Sequence, residues 1–215
     1  MSGRLDAEFY QPKYDDIRKF MTNAGTVGEL CKLHDKNFTP HDKKVYRYIE
    51  LANVESNGNI STPDEILGEE LPTRARRLVK AGQVIVSSIE GSLQNCALIT
   101  DENDGALCST GFFVIDSDNF NAATLLVLFK SELMQNLMRQ QCTGTILTAV
   151  SRENFLNLPL PCVEVEIQEK IAAQVAESFR LRGESEKLLF KAKRAVELAI
   201  EQGEDAAIKI FQPSS

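Results

Sequence analysis

The stretch EVEIQEKIAAQVAESFRLRGESEKLLFKAKRAVELAIEQ, Glu164 to Gln202, decides the architecture. It holds no proline and a single glycine, Gly183. Ile171, Val175, Phe179, Leu188, Leu189, Ala192, Val196, Ala199 and Ile200 recur at spacings that build a broad apolar helical face, with Lys, Arg and Glu filling the remainder. A helix of about 38 residues runs about 57 Å at 1.5 Å per residue. That exceeds what a small domain needs as a cover, and such helices pair in a coiled coil or bundle. The apolar spacing lapses at Arg182-Gly183-Glu184-Ser185-Glu186, so a local bend or a polar window is expected there. The tail from Gly203 to Ser215 reads as frayed or disordered.

Upstream the pattern changes to strands and turns. Val45–Leu51 alternates and is rich in β-formers, and Ser56-Asn57-Gly58-Asn59 is a turn signal. Gly82–Ile89 reads as a buried strand, Glu90-Gly91-Ser92 as its turn, Cys96–Ile99 as the return and Gly111–Ile115 as a further strand. Leu125, Leu126, Phe129, Leu133, Leu137 and Met138 predict one helix from Ala122 to about Gln141. Near the N-terminus Pro12 breaks the first segment and Tyr14–Met21 reads as a short helix; Thr26–Leu30 starts another turn. Ser151–Leu156 makes a helical turn, and Asn157–Pro161 is extended, proline-punctuated and a good domain boundary. The fold class is therefore α+β: a mixed globular domain over residues 1–162, a long helix over 163–203 and a flexible tail over 204–215.

Composition bounds the function. The 215 residues carry a net charge of −7, which argues against an indiscriminate nucleic-acid binder. No apolar run approaches a membrane span and the first residues lack a signal-peptide core, so a soluble cytoplasmic protein with no membrane partner is expected. Cys31, Cys96, Cys108, Cys142 and Cys162 show no paired spacing and read as reduced thiols. Cys31-Lys32-Leu33-His34 superficially resembles half a zinc site, but His41, the other histidine, has no cysteine nearby. No metal or cofactor is expected in the chain.

Enzyme signatures are missing. There is no phosphate-binding loop, dinucleotide fingerprint or nucleophile elbow. The nearest approach to a nuclease carboxylate pair is Asp116-Ser117-Asp118, which reads as a solvated turn. Charge is uneven, however. Leu71 to Gly82 holds Arg74, Arg76, Arg77 and Lys80 and no acid, whereas Pro161 to the end holds ten carboxylates against eight bases. A local basic patch on an acidic chain suits a DNA contact that leaves most phosphate binding to partners.

The residues around that patch carry a resemblance. LPTRARRLVKAGQVIVSS, Leu71 to Ser88, resembles the Pro-Ser-Arg-Ala-Arg and Gly-Asp-(Val/Ile)-Leu-x-Ser stretch of type I restriction–modification specificity subunits, with Thr73 for serine and Gln83 for aspartate. Arg4–Tyr14 resembles the opening of a recognition domain in that family. Thr143-Gly144-Thr145 sits where the family has a glycine-containing loop. Leu158-Pro159-Leu160-Pro161, followed by Gln168-Glu169-Lys170-Ile171, resembles its entry into the conserved helix. The order and spacing of these segments cover nearly the whole chain.

The resemblance implies a non-catalytic reader of double-stranded DNA, half of a subunit that pairs two recognition domains through antiparallel helices and reads a bipartite site. Adenine methylation with S-adenosylmethionine and cleavage with ATP and magnesium would lie in partner modification and restriction (motor) subunits. Two copies would form a homodimer through the helix face. The DNA-contacting role passes to Arg74, Arg76, Arg77 and Lys80, and also to Lys43, Lys44, Arg47, the Ser92–Asn95 turn with Ser92, Gln94 and Asn95, and the loop with Thr143 and Thr145. Arginine forks suit guanine and phosphate, amides suit adenine, and lysines and hydroxyls suit phosphates. Two other readings stay open: a coiled-coil structural or interaction protein without a DNA role, and the recognition part of a fused restriction–methylation enzyme.

Overall fold

The computed structural model describes residues 8–20, 23–143 and 148–211. The chain divides into two compact units, Met1–Ala172 and Ala173–Ser215.

In the first unit, helix α1 (Pro12–Phe20) opens on its proline. The break expected at Pro12 is instead a helix start: at the first helical position its missing N–H has no intrahelical partner to lose, and its fixed φ suits the helix. Tyr14 and Ile17, one turn apart, are buried. Strand β1 (Asn23–Thr26) pairs antiparallel with β12 (Pro159–Pro161), so the two ends of the unit are joined. Helix α2 (Val27–Leu30) follows, and the Glu29 carboxylate accepts from the Thr26 backbone N–H at 2.7 Å and from its hydroxyl at 3.0 Å.

Two four-stranded sheets form the centre. The first runs β2 (Lys32–Leu33), β9 (Phe112–Asp116), β6 (Val84–Ser87), β7 (Cys96–Leu98), antiparallel throughout. The second runs β4 (Asp64–Leu67), β3 (Val45–Ile49), β8 (Leu107–Ser109), β5 (Ala75–Leu78), and only β3 and β8 are parallel. All four residues of β6 are buried, as a strand covered on both faces requires. Ile49, Ile85, Ala97, Cys108, Phe112 and Val114 belong to one apolar cluster drawn from both sheets. Burial raises the Cys31 thiol to about 11 and Cys96 to about 12, so both stay protonated at neutral pH.

The helix expected from Ala122 to Gln141 is two helices, α3 (Ala122–Lys130) and α4 (Glu132–Gln141). Ser131 divides them with extended backbone; its hydroxyl donates to Leu128 O at 2.7 Å and accepts from Met134 N at 3.3 Å. A single serine that caps both ends leaves the apolar periodicity nearly intact, which hides the break from pattern reading. After β10 (Cys142–Thr143) and β11 (Ala149–Val150), helix α5 (Arg152–Leu156) puts Phe155 between Phe113 and Phe129, with ring centroids 4.0 and 5.5 Å away.

Helix α6 (Val165–Gln202) starts in this unit on a buried glutamine. The Gln168 side-chain oxygen accepts from Asn121 N at 2.9 Å, and its amide donates to Asn119 O and Val163 O at 3.0 Å each. Asn121 returns a bond to Gln168 O at 2.9 Å while its own side-chain oxygen caps α3. One polar side chain thus satisfies three backbone groups around the helix entry.

In the second unit α6 runs unbroken through Gly183. The expected interruption takes the form of a polar window: Arg180 pairs with Glu177 at 2.7 Å and Glu184 at 3.0 Å, and Arg182 with Glu186 at 2.8 Å. Beyond Gly203, whose φ of 91° ends α6, residues Glu204–Lys209 form α7. The expectation of a structureless tail is therefore corrected for those residues: Glu204 and Asp205 in the first turn and Lys209 in the last complement the helix dipole. Among the described residues no helix is long and apolar enough to cross a membrane.

Candidate nucleic-acid interface

The second sheet is sorted by charge. One edge, β4, begins Asp64-Glu65 and is followed by Glu69 and Glu70; the opposite edge, β5, carries Arg76 and Arg77. An acidic chain thereby presents a cationic border without raising its net charge.

The basic residues differ in how free they are. Arg76 sits in β5 with its Nε donating to Thr73 O at 3.1 Å. Arg77 is anchored: its Nη1 donates to the Asn37 side-chain oxygen at 2.6 Å and to the Asp35 carbonyl. Arg74 is exposed beside Glu50 at 3.7 Å. Lys80 is exposed in a tight turn in which its N–H donates to Gln83 Oε1 at 2.8 Å and Gly82 takes φ 85°. Arg47 spends its guanidinium on the Glu102 and Asp104 carbonyls. Lys43 and Lys44 are exposed in the turn before β3, with Lys44 Nζ 5.2 Å from the Tyr46 ring centroid.

The Ser92–Asn95 turn is mostly turned inward. Ser92 Oγ lies 3.0 Å from Ser87 Oγ, and Asn95 Nδ2 donates to Leu51 O at 2.9 Å. Gln94 is exposed, and its carbonyl accepts from Lys130 at 2.9 Å. Thr143 is exposed in β10, while Thr145 and Gly144 lie outside the described residues. The fold brings these two regions together, since Glu90 N donates to Thr148 O and Val150 N to Ser88 O. The Arg76–Arg77 edge is served by different residues.

Those residues went unnoticed in the sequence. The segment after β2 runs along the outer edge of β5, where Phe38 N donates to Arg76 O at 2.7 Å. Asp35 receives Arg152 Nε at 2.5 Å, a partner 117 positions away. Nothing in local pattern marks such a pair. His34 Nε2 lies 2.7 Å from Asp116 Oδ2, which also accepts from Gln83 at 3.3 Å; the half-zinc motif and the carboxylate pair singled out above thus meet in one polar contact. Beside them lies a cavity of about 110 Å³ lined by His34, Asp35, Arg77, Thr110 and Arg152.

The Arg152 hydrogen bond is the main reason the Asp35 carboxyl is held below its ordinary range, with the Arg152 and Arg77 charges adding to it and burial opposing. A carboxyl lowered on folding stabilises the fold above the unfolded value of about 3.9, and that stability is lost as pH falls through the lowered folded value. Asp35→Asn should therefore flatten the acid side of the stability profile, modestly because the pair is solvent-screened. Thermal melts from pH 6 down to pH 2.5 check this; identical slopes for both proteins would refute it.

Comparison with known proteins gives consistent findings. No family model and no curated protein matches the chain. Among solved structures, a chain from a study of complex assembly and conformational transition of the type I R-M system is 28% identical, with a TM-score of 0.63 over 88% of this chain and 50% of that one. The HsdS subunit from Thermoanaerobacter tengcongensis is 28% identical, with a TM-score of 0.58 over 81% of this chain and 46% of that one. The type I S subunit from M. genitalium shares the fold at 13% identity, with a TM-score of 0.54 over 82% and 44%. The chain spans about half the length of these relatives. A globular α+β unit, a buried glutamine at the helix entry and a 38-residue helix are thus joined in the fold of the specificity subunits of type I restriction–modification systems.

Proposed function

We propose that the chain is a DNA-reading, non-catalytic specificity component of a type I restriction–modification complex. The observation that carries this is the cationic β5 edge, set on a fold shared with specificity subunits and opposed by an acidic edge on the same sheet. The globular unit reads one part of a bipartite site in double-stranded DNA. Arg76 and Lys80, with Lys43 and Lys44, supply groove and phosphate contacts; Arg77 and Arg47 hold backbone in place. Methylation of adenine with S-adenosylmethionine belongs to modification subunits, and ATP- and magnesium-dependent cleavage to restriction subunits. The setting is the cytoplasm.

The second unit pairs two copies. Leu188, Leu189, Val196 and Ile200 are 60, 56, 61 and 81% exposed, a run of apolar surface that an isolated helix would leave in water.

Mapping of methylated adenines across the host genome, with and without the chain, tests the reading. The expected result is a bipartite methylated motif that disappears when the chain is removed. An unchanged methylation map would overturn it in favour of a coiled-coil interaction protein.

A further inference from the structure

The segment His34-Asp35-Lys36-Asn37-Phe38 has no regular secondary structure, yet four of its five residues are tied down. His34 N donates to Val114 O at 2.8 Å and Phe38 N to Arg76 O at 2.7 Å, fixing its two ends to β9 and β5. Between them Arg152 holds the Asp35 carboxylate, and Arg77 holds both the Asp35 carbonyl and the Asn37 side-chain oxygen. Two arginines hold Asp35 and Asn37, on either side of exposed Lys36, in a segment that buries little apolar surface. Fold stability gains little from ion pairs at such exposure. Preorganisation of a binding segment gains much, because the ordering cost is met before the ligand arrives.

The ties also sort donors from acceptors. Both oxygens that Arg77 engages, and the Asp35 oxygen that Arg152 engages, are acceptors. With its oxygen turned to Arg77, the Asn37 amide keeps both N–H groups for a ligand. Lys36 is exposed with its ammonium free to donate. The open groove of about 330 Å³ along this segment is bordered by Asp35, Lys36, Asn37, Phe38 and Leu78, with the Asp35 carboxylate drawn toward Arg152. Of the four bases, guanine presents two adjacent acceptors, N7 and O6, in the major groove, whereas cytosine presents an amino donor and adenine one of each. A phosphate also accepts, but a flexible lysine suffices for that; a pinned amide beside a lysine matches a base edge, whose direction is fixed.

We propose that the Lys36–Asn37 ridge, held in place by Arg77 and Arg152, reads a guanine in the major groove. This rests on the DNA-reading function proposed above. Arg77 and Arg152 are positioning residues, and Lys36 and Asn37 are the reading ones.

The test starts by selecting duplexes from a randomised pool with the full chain assembled with co-expressed modification subunits. Affinity is then measured on the selected duplex with 7-deazaguanine, which lacks the N7 acceptor, at each guanine in turn. One guanine should weaken binding by roughly tenfold when so replaced, in line with the discrimination of a good base contact. Lys36→Ala should lose most of that sensitivity. Asn37→Asp keeps an oxygen for Arg77 but replaces the donor amide with an acceptor, and should abolish the guanine preference at the same position. Both side chains are exposed, and thermal melts confirm folding. A selected motif whose guanine sensitivity survives both substitutions would overturn this assignment while the DNA-reading function stands. Uniform weakening on every sequence would overturn it too, marking a phosphate contact. No selection by the assembly that holds the unaltered chain would overturn both readings.

Discussion

Gly68→Ala should destabilise the globular unit by about 3 kcal/mol, at the upper end of what overpacking costs. An added Cβ at Gly68 would lie 2.0 Å from the His41 carbonyl oxygen and 2.8 Å from the His41 carbonyl carbon. Both atoms are backbone, so no side-chain rotation relieves the overlap. The crossing is also bonded: Gly68 N donates to Lys44 O at 2.9 Å and Glu69 N to Asp42 O at 3.2 Å. Separating the two turns to admit a methyl group breaks both bonds and displaces the turn that carries Lys43 and Lys44. At the usual entropy of unfolding for a chain of this size, the loss lowers Tm by about 6–12 °C. Gly91→Ala is the matched control, because no atom lies within 4 Å of its added Cβ and its φ is not positive. A Gly68→Ala melt that coincides with the control would show that the crossing is looser than described.

The second large effect concerns the helix. Val196→Asp with Ile200→Asp should convert the proposed dimer into a monomer at micromolar concentration, with helicity and melting of the globular unit unchanged. The two side chains are among the most exposed apolar groups of the chain, so their replacement costs the isolated protein little. Paired across two helices, each apolar side chain contributes about 1.5–3 kcal/mol by burial, and a carboxylate placed there must be desolvated or push the helices apart. The combined loss exceeds a hundredfold in association. Light scattering reads the mass directly. A dimer that persists would place the pairing face elsewhere, and an unaltered chain that is already monomeric would remove helix pairing from the proposed function.

Much of this architecture was legible in the residues. Val84–Ser87 and Cys96–Leu98 were readable because an apolar run between Gly82 and the Glu90-Gly91-Ser92 turn has few alternatives as a secondary element. The long helix was readable from its periodicity and the absence of proline over Val165–Gln202. Pro12, Ser131 and the Glu204–Lys209 helix were misread for a shared reason. Each lies at a helix terminus (the start of α1, the α3–α4 junction, the end of α6 at Gly203), where one side chain or one backbone group outweighs the pattern of ten neighbours.

The candidate site divides in the same way. Clustering of Arg74, Arg76, Arg77 and Lys80 is a property of consecutive residues, and the chain declares it without folding. Which of them is free to meet a ligand depends on partners far away in sequence: Asn37 for Arg77, Glu50 for Arg74, and likewise the Glu102 and Asp104 carbonyls for Arg47. Hydrogen bonds are short-ranged and directional, so a donor's availability is settled only when the tertiary structure sets another group within about 3 Å of it. Local chemistry and periodicity therefore determined the α+β class, the long helix and the basic segment. Only the folded structure decided that Arg77 is an anchor, that Lys36 and Asn37 stand beside it, and that the acidic and basic residues of one sheet lie on opposite edges.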